Sequence, residues 1–355
     1  MGLVLMSGSS NFRYYDPKIP HRGETQFYNN YDNSQKPSFW KWQWNRLTTK
    51  SEPEPSYQPE FVKPDLGALL SNRRLNTITW IGHATVLLQV NGLNILIDPV
   101  FSERASPFSF WGPKRLAPLP LTVAQLPDID IVLISHNHYD HMDIASLHAL
   151  EEKGQGWTKF LVPLGNKAYL EGKDILQVQE FDWWDKVTFK EVEFTFTPSQ
   201  HWSRRGIFDT NKTLWGGWHV QSKGRKFLYT GDTGYSPDFR DIYQRLGAVD
   251  LLMVPLGSYE PRWFMKQMHV NPDEAVQIHK DMHSRLTIGV HWGTFRLSDE
   301  TMMKPVEDLN LALEKNNISS DEFRILKFGE TLNFKSMPLI QHPRQASGED
   351  ADVGI

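Results

Sequence analysis

Cysteine is absent from this 355-residue chain. That absence excludes disulfides, thiolate metal sites and thiol nucleophiles, so a transition-metal site here must be built from histidine and carboxylate. Positive charge is not in excess either. With 38 Lys and Arg against 42 Asp and Glu the net charge is −4, and no global basic field draws the chain to nucleic acid, so no such partner is expected. No apolar run approaches the length of a membrane span, and the opening Met1-Gly-Leu-Val-Leu-Met6 lacks the charged flank and apolar length of a secretory signal. Gly2 invites myristoylation, but Met6 stands where Ser or Thr is needed. An intracellular location is the expectation, in keeping with the missing cysteine. Neither a G-x-x-x-x-G-K-[ST] phosphate loop nor a G-x-S-x-G nucleophile elbow occurs, so those two chemistries lose support.

What is present is a dense ligand cluster. Directly after the apolar run Ile129 to Ile134 comes His136-Asn-His-Tyr-Asp-His141, an H-x-H-x-D-H stretch. Imidazole nitrogen and carboxylate oxygen are the donors zinc prefers, and alternate positions on a loop let His136 and His138 converge on one ion while Asp140 and His141 turn toward another. A loop leaving a buried strand is where such side chains project. By contrast, His279 and His283 have zincin spacing, but Lys280 replaces the glutamate that motif needs.

Residues 1 to about 70 are rich in Pro, Asn, Ser and Tyr with little periodicity, and read as an irregular extension that wraps the body. Within it, Trp40, Trp42 and Trp44 alternate with polar residues, which predicts an extended segment with one aromatic face, set against protein or against lipid headgroups. Regular structure begins near Leu75. Strands are predicted at 77–81, 85–90 and 94–97, the last two joined at Asn91-Gly92, then at 129–135, 159–163, 186–197, 226–229, 251–255, 286–289 and 323–326. Helices are predicted at 271–282, with its Asn cap and first-turn Pro, and at 305–316. The interleaving gives an α/β layered domain over residues 71–336, followed by a tail at 337–355 that is disordered from Pro343 on.

Three more candidates end β-like runs far along the chain: His201 in Thr197-Pro-Ser-Gln-His201, Asp232 in Thr230-Gly-Asp-Thr-Gly234 and His291 in Gly289-Val-His-Trp-Gly293. Strand ends gather remote side chains onto one edge of a sheet. Together with the cluster they supply five His and two Asp, the inventory for two four-coordinate ions if one carboxylate bridges. On this count His136, His138 and His201 hold one ion, Asp140, His141 and His291 the other, and Asp232 lies between them. Paired cations activate a shared water at neutral pH and stabilise charge on a reacting oxygen.

This ordered set resembles the metallo-β-lactamase-fold hydrolases, and its flanking motifs resemble the N-acylphosphatidylethanolamine-hydrolysing phospholipases D. The likeness runs over roughly residues 75 to 335. It is carried by Thr77 to Thr85, Ile97 to Ser102, Arg104 to Pro107, Gly112 to Arg115, Leu133 to His141 and Phe196 to Trp202, then by Gly231 to Tyr235, Tyr259 to Lys266 and Val290 to Phe295. The resemblance implies a four-layer αβ/βα sandwich, two zinc ions, a homodimer, a peripheral membrane surface on the cytosolic side and a membrane phospholipid as substrate. It gives Asp98 a supporting place behind the ligands, where a carboxylate fixes a ring tautomer. For His83 a hydrogen-bonding role is favoured over coordination. His269 matches a histidine near the reacting phosphate and, with Asp140, is the candidate for proton movement. Met268 departs from a glutamine carried by some relatives, which bears on headgroup contacts. Arg262, Trp263, Phe264, Met265 and Lys266 bracket apolar side chains with cations and suit a phospholipid interface or a dimer contact. The expected reaction is hydrolysis of N-acylphosphatidylethanolamine to N-acylethanolamine and phosphatidic acid. The alternatives are a soluble hydrolase of the same fold acting on a small phosphodiester or lactone, and a metal-containing lipid-binding scaffold without turnover.

Overall fold

The computed structural model describes residues 12–31, 38–48 and 56–334. Its strands are β1 (Thr77–Gly82), β2 (Thr85–Val90), β3 (Leu93–Ile97), β4 (Ile131–Leu133), β5 (Lys159–Pro163), β6 (Val178–Phe181) and β7 (Lys186–Phe189). They continue with β8 (Val192–Thr197), β9 (Gly217–Ser222), β10 (Arg225–Tyr229), β11 (Leu251–Pro255), β12 (Leu286–Val290), β13 (Phe323–Arg324) and β14 (Thr331–Asn333). The helices are α1 (Phe39–Thr48), α2 (Leu66–Ser71), α3 (Ile144–Lys153), α4 (Lys167–Glu171), α5 (Asp238–Leu246), α6 (Arg262–Met265), α7 (Pro272–Asp281) and α8 (Lys304–Asn316).

Two seven-stranded sheets result, ordered β14-β1-β2-β3-β4-β5-β6 and β13-β12-β11-β10-β9-β8-β7. In each, an antiparallel half passes into a parallel half: β3 to β6 run parallel in the first, β10 to β13 in the second. Period-two alternation decides which side chain meets which layer. Val86, Leu88, Ile95, Ile97, Ile131 and Leu133 join Phe194, Phe196 and Trp218 of the other sheet in the central core. Their neighbours Leu87, Leu96 and Val132 face outward, onto Leu147 and Leu150 of α3 and Leu170 of α4. On the far side Phe239 and Ile242 of α5, Val276 and Ile278 of α7 and Leu309 of α8 cover the second sheet. Helices, sheet, sheet and helices thus form the expected four-layer αβ/βα sandwich. Because both faces of these strands are covered, they read as nearly unbroken apolar runs in the sequence.

Several local expectations change. The run 186–197 is a hairpin of β7 and β8 rather than one strand, because Lys190 and Glu191 both take left-handed φ (45° and 64°) and form a tight turn without the usual Asn-Gly. The Trp-rich segment is α1, not extended. Trp42 is buried against Phe264, stacked with ring centroids 4.9 Å apart, while Trp44 is exposed. The edge strands β6 and β14 and the central strand β9 were not anticipated. Among the described residues no helix is long and apolar enough to cross a membrane. The tail expected to be disordered from Pro343, and Gly2 with Met6, lie outside the described residues.

Part of the extension is tied down. Residues 12–31 lie along the domain with Phe27 wholly buried and edge-on to Phe12. Asp182, just past β6, holds them: its carboxylate accepts from His21 Nε2 at 2.7 Å and from Arg22 Nε at 2.8 Å. Burial pushes the Asp182 carboxyl up, but the His21 hydrogen bond and the charges of His21 and Arg22 outweigh it and hold the group below its ordinary value. Since the unfolded value is about 3.9, this contribution is complete above that pH and is lost as acidification passes the lower, folded value. Asp182→Ala is expected to weaken docking of the segment by about 2–3 kcal/mol. The check is trypsin cleavage after Arg22 together with amide exchange in residues 12–31, both of which should accelerate at neutral pH; unchanged protection would mean that Asp182 does not anchor the segment.

Candidate metal centre

The predicted ligands meet where the two sheets present their strand ends. His83 follows β1, Asp98 follows β3, the His136–His141 loop follows β4, His201 follows β8, Asp232 follows β10 and His291 follows β12. The backbone is bent to aim them: His83, Asp98 and His291 all have left-handed φ (52°, 38° and 57°), a conformation that costs roughly 1–3 kcal/mol per residue and is held by its surroundings. Before Asp232, Gly231 is needed at φ +64°, since a Cβ there would lie 2.3 Å from the Gly216 carbonyl.

Two groups of donor atoms form. In the first, His136 Nε2 lies 2.8 Å from His138 Nδ1, which lies 3.3 Å from His201 Nε2. In the second, Asp140 Oδ2 stands 3.4 Å from His141 Nε2, 3.2 Å from His291 Nε2 and 2.9 Å from His83 Nε2. Asp232 Oδ2 sits between the groups, 3.2 Å from both His141 Nε2 and His291 Nε2 and 3.9 Å from His201 Nε2. All seven residues singled out as ligands are therefore brought together, in the same two sets, with Asp232 in the middle. His83 belongs to the second set by geometry as well as hydrogen bonding.

Tautomers follow from what the outer nitrogens touch. Asp98 is wholly buried and is the hub: its carboxylate accepts from Ser135 N at 2.7 Å, Ser135 Oγ at 2.6 Å, His141 Nδ1 at 2.8 Å and Tyr229 OH at 2.6 Å. Ser135 Oγ, its own proton committed to Asp98, accepts from His136 Nδ1 at 2.9 Å. His201 Nδ1 donates to the Met268 carbonyl at 2.8 Å. His136 and His201 thus each turn an unprotonated Nε2 inward, and His141 turns its Nε2 inward toward the two carboxylates. Asp98 lies behind the predicted ligands, in direct contact with His141 and, through Ser135, with His136. Ser135 and Tyr229 were missed: Ser135 lies inside the Leu133–His141 motif without being a metal donor, and Tyr229 ends β10 as an ordinary strand aromatic.

The electrostatics call for positive charge. Burial lowers His136 and His269 well below the ordinary imidazole value, His83 and His138 to about 3 and His201 to about 4. For Asp140 and Asp232 burial pushes upward, but the charge of His141 and the histidine hydrogen bonds outweigh it and hold both carboxyls well below their usual range. Against burial, the same two carboxylates hold His141 well above its usual value and His291 at about 9. Protons stand where the field asks for cations, and inward imidazole nitrogens with ionised carboxylates are a donor set for divalent metal.

The remaining candidates separate. His269 borders the centre, its buried Nδ1 3.8 Å from Asp232 Oδ2 and without a hydrogen-bond partner. Arg262 does not reach the site; it pairs with Glu274 at 2.6 Å and donates to the His269 carbonyl at 2.8 Å, fixing the turn. Phe264 and Met265 are buried beneath α1, so they are not an exposed lipid-facing surface, whereas Trp263 and Lys266 are exposed. Met268 packs with that cluster and serves His201 through its backbone, so its side chain does not enter the ligand set.

A family model described as a beta-lactamase superfamily domain matches residues 93–292. The chain is 39% identical over 264 residues to an N-acyl-phosphatidylethanolamine-hydrolyzing phospholipase D from Caenorhabditis elegans, covering 71% of this chain and 74% of that protein. A mitochondrial protein of the same description from Saccharomyces cerevisiae is 39% identical over 243 residues, 66% of this chain and 51% of its own length. Among solved structures, a possible metal-dependent hydrolase from Veillonella parvula superposes with a TM-score of 0.60 at 18% identity, covering 73% of this chain and 99% of that one. An isothiocyanate hydrolase from Delia radicum gut bacteria gives 0.58 at 18%, covering 72% and 98%. These two likenesses are of fold. With the sandwich and its ligand set, the sequence relationships identify the chain as a metal-dependent hydrolase of the metallo-β-lactamase superfamily, in the family that holds the proteins named N-acyl-phosphatidylethanolamine-hydrolysing phospholipase D.

Proposed function

We propose that this protein is a zinc-dependent phosphodiesterase that hydrolyses N-acylphosphatidylethanolamine to N-acylethanolamine and phosphatidic acid. The observation that carries this reading is the complete seven-residue ligand constellation in a chain 39% identical to a relative of that name. His136, His138 and His201 would hold one zinc ion, Asp140, His141 and His291 the second, and Asp232 both. The fit is supported by donor spacing: neighbouring ligands of a tetrahedral zinc stand roughly 3.3 Å apart, and the inward nitrogens of the first set lie 2.8 and 3.3 Å apart. Bound there, such a pair supplies an activated water and stabilisation of charge on phosphate oxygens.

The chain's own groups do the rest. Water oxygen bonds to phosphorus while the bond from phosphorus to the ethanolamine oxygen breaks. Asp140, kept ionised by its histidine neighbours, accepts a proton from the attacking water. Asp140 passes that proton to the departing ethanolamine oxygen, and His269, neutral and with a free Nδ1 at the edge of the site, hydrogen-bonds the phosphate. His83 donates to Asp140 and orients it. Asp98 steadies His141 directly and His136 through Ser135.

Phospholipid must reach this site from a surface. Two loops packed on the ligand loop carry exposed apolar side chains: Phe110 and Trp111 are 79% and 68% exposed, Ile207 and Phe208 75% and 91%. Arg205 of the second loop donates to the carbonyls of Asn137 and Met142, and the first begins where Ser102 N meets Asp143. Such tips at the rim suit peripheral insertion among lipid headgroups.

Incubation of the metal-replete protein with N-acylphosphatidylethanolamine in mixed micelles should release phosphatidic acid and N-acylethanolamine in equal amounts. Cleavage of a water-soluble phosphodiester or lactone without phosphatidic acid release would overturn the substrate assignment. Asp232→Ala should drop turnover to background and lower bound metal, read by elemental analysis; normal metal content with full turnover would remove Asp232 from the centre. Paired Phe110→Ser and Phe208→Ser substitutions should weaken sedimentation with phospholipid vesicles while hydrolysis of detergent-dispersed substrate persists, and undiminished vesicle binding would place the lipid contact elsewhere.

A further inference from the structure

The segment 12–31 reaches further into the site than its distance in sequence suggests. At its end, Asn29 faces His201, 172 residues away, and takes both of its backbone groups: Asn29 Oδ1 accepts from His201 N at 3.1 Å, and Asn29 Nδ2 donates to His201 O at 3.1 Å. A primary amide laid against a peptide unit in this way does what a neighbouring β-strand would do. His201 lies beyond the end of β8, whose pairing with β9 stops at Thr197. The amide is itself held, because Oδ1 also accepts from the indole Nε1 of the wholly buried Trp215 at 2.9 Å.

Anchors on either side keep Asn29 in place. Upstream, Phe27 N donates to the Asn211 carbonyl at 2.9 Å. Downstream, Asn30 Nδ2 donates to Asp238 at 2.8 Å and Tyr31 OH to Asp241 at 2.6 Å, both on the first turn of α5. His201 is therefore gripped at two points: its ring by the Met268 carbonyl and its main chain by Asn29.

We propose that Asn29 is a positioning residue of the metal centre, and that the segment bearing it completes the site by fixing where His201 Nε2 stands relative to His136, His138 and Asp232. The inference rests on the reading that His201 holds a metal ion, and it assigns Asn29 no contact with metal or substrate. Without its amide the His201 backbone loses both partners, the loop after β8 drifts, and one of the three imidazoles of the first set leaves its place.

The test is metal binding by the full chain. Apo protein is titrated with zinc alone and with cobalt alone, the latter read by its visible absorption, for the wild type, Asn29→Ala, Asn29→Asp and Tyr31→Phe. Asn29→Ala should weaken the first-set metal by about 10- to 100-fold and alter the cobalt spectrum, with the thermal unfolding of the apo protein little changed. Asn29→Asp, which keeps the acceptor for His201 N and Trp215 but not the donor, should fall between. Tyr31→Phe, which loosens the segment two residues away and leaves Asn29 intact, should bind metal as the wild type does. Wild-type metal affinity and spectrum in both Asn29→Ala and Asn29→Asp would overturn the inference, and equal losses in Tyr31→Phe would reduce Asn29 to one anchor among several. If the wild type itself binds neither ion, the failure lies with the metal reading of His201 and not with Asn29.

Discussion

The constraint on which this structure depends is the crowding of imidazole nitrogens and two carboxylates into one buried pocket. Ring nitrogens as close as His136 Nε2 and His138 Nδ1 repel unless a proton or a cation lies between them. The fold sustains the arrangement by fixing outer atoms rather than inner ones. Asp98, Ser135 and the Met268 carbonyl each take a proton that faces away from the centre, Tyr229 OH donates to Asp98 and holds it in place, and what remains points inward. Asp98 governs two of the histidines from one carboxylate, which makes it the most connected polar group behind the site.

The sandwich makes such convergence possible. Each sheet has a parallel half whose strands all end on the same side, and the loops leaving β3, β4, β10 and β12 carry Asp98, the His136–His141 loop, Asp232 and His291. β1 and β8 contribute His83 and His201 from the antiparallel halves. Close packing of the central core fixes the separation of the sheets, so distances between donors on different sheets are set by residues such as Phe194, Phe196 and Trp218 that never touch the site. The left-handed backbone at His83, Asp98 and His291 belongs to the same scheme, since a site held by rigid strands can carry local strain that an isolated loop would relax.

Much of this was legible in the sequence, for identifiable reasons. The H-x-H-x-D-H stretch, the Ile97-Asp-Pro turn and Thr230-Gly-Asp-Thr-Gly234 are compact signals in which residue type and spacing carry the chemistry. The α/β layering followed from apolar strands alternating with helices, and the four-layer order from the resemblance carried by the motifs. What stayed hidden depends on tertiary contact alone. Tyr229 looks like an ordinary strand aromatic until Asp98 is beneath its hydroxyl, and Asn29 looks like one of many turn-forming asparagines in an irregular stretch. The alternating tryptophans suggested an extended segment because only the aromatic positions were counted. The ten residues of α1 form a helix that lays Trp42 on Phe264, and this also removes Phe264 and Met265 from the surface they were expected to form. The β7–β8 hairpin was unreadable because Lys190 and Glu191 adopt a turn that their residue types do not advertise.

The contact between His201 and residue 268 runs through a main-chain carbonyl, and that has a consequence for how this family can diverge. A peptide oxygen is the same whatever side chain it carries, so drift at position 268 leaves the imidazole's orientation untouched. The methionine side chain packs instead toward Trp42, Phe264 and Met265. One residue thus separates two inheritances: a backbone duty that selection need not guard by residue identity, and a side chain free to co-vary with the helix laid over it.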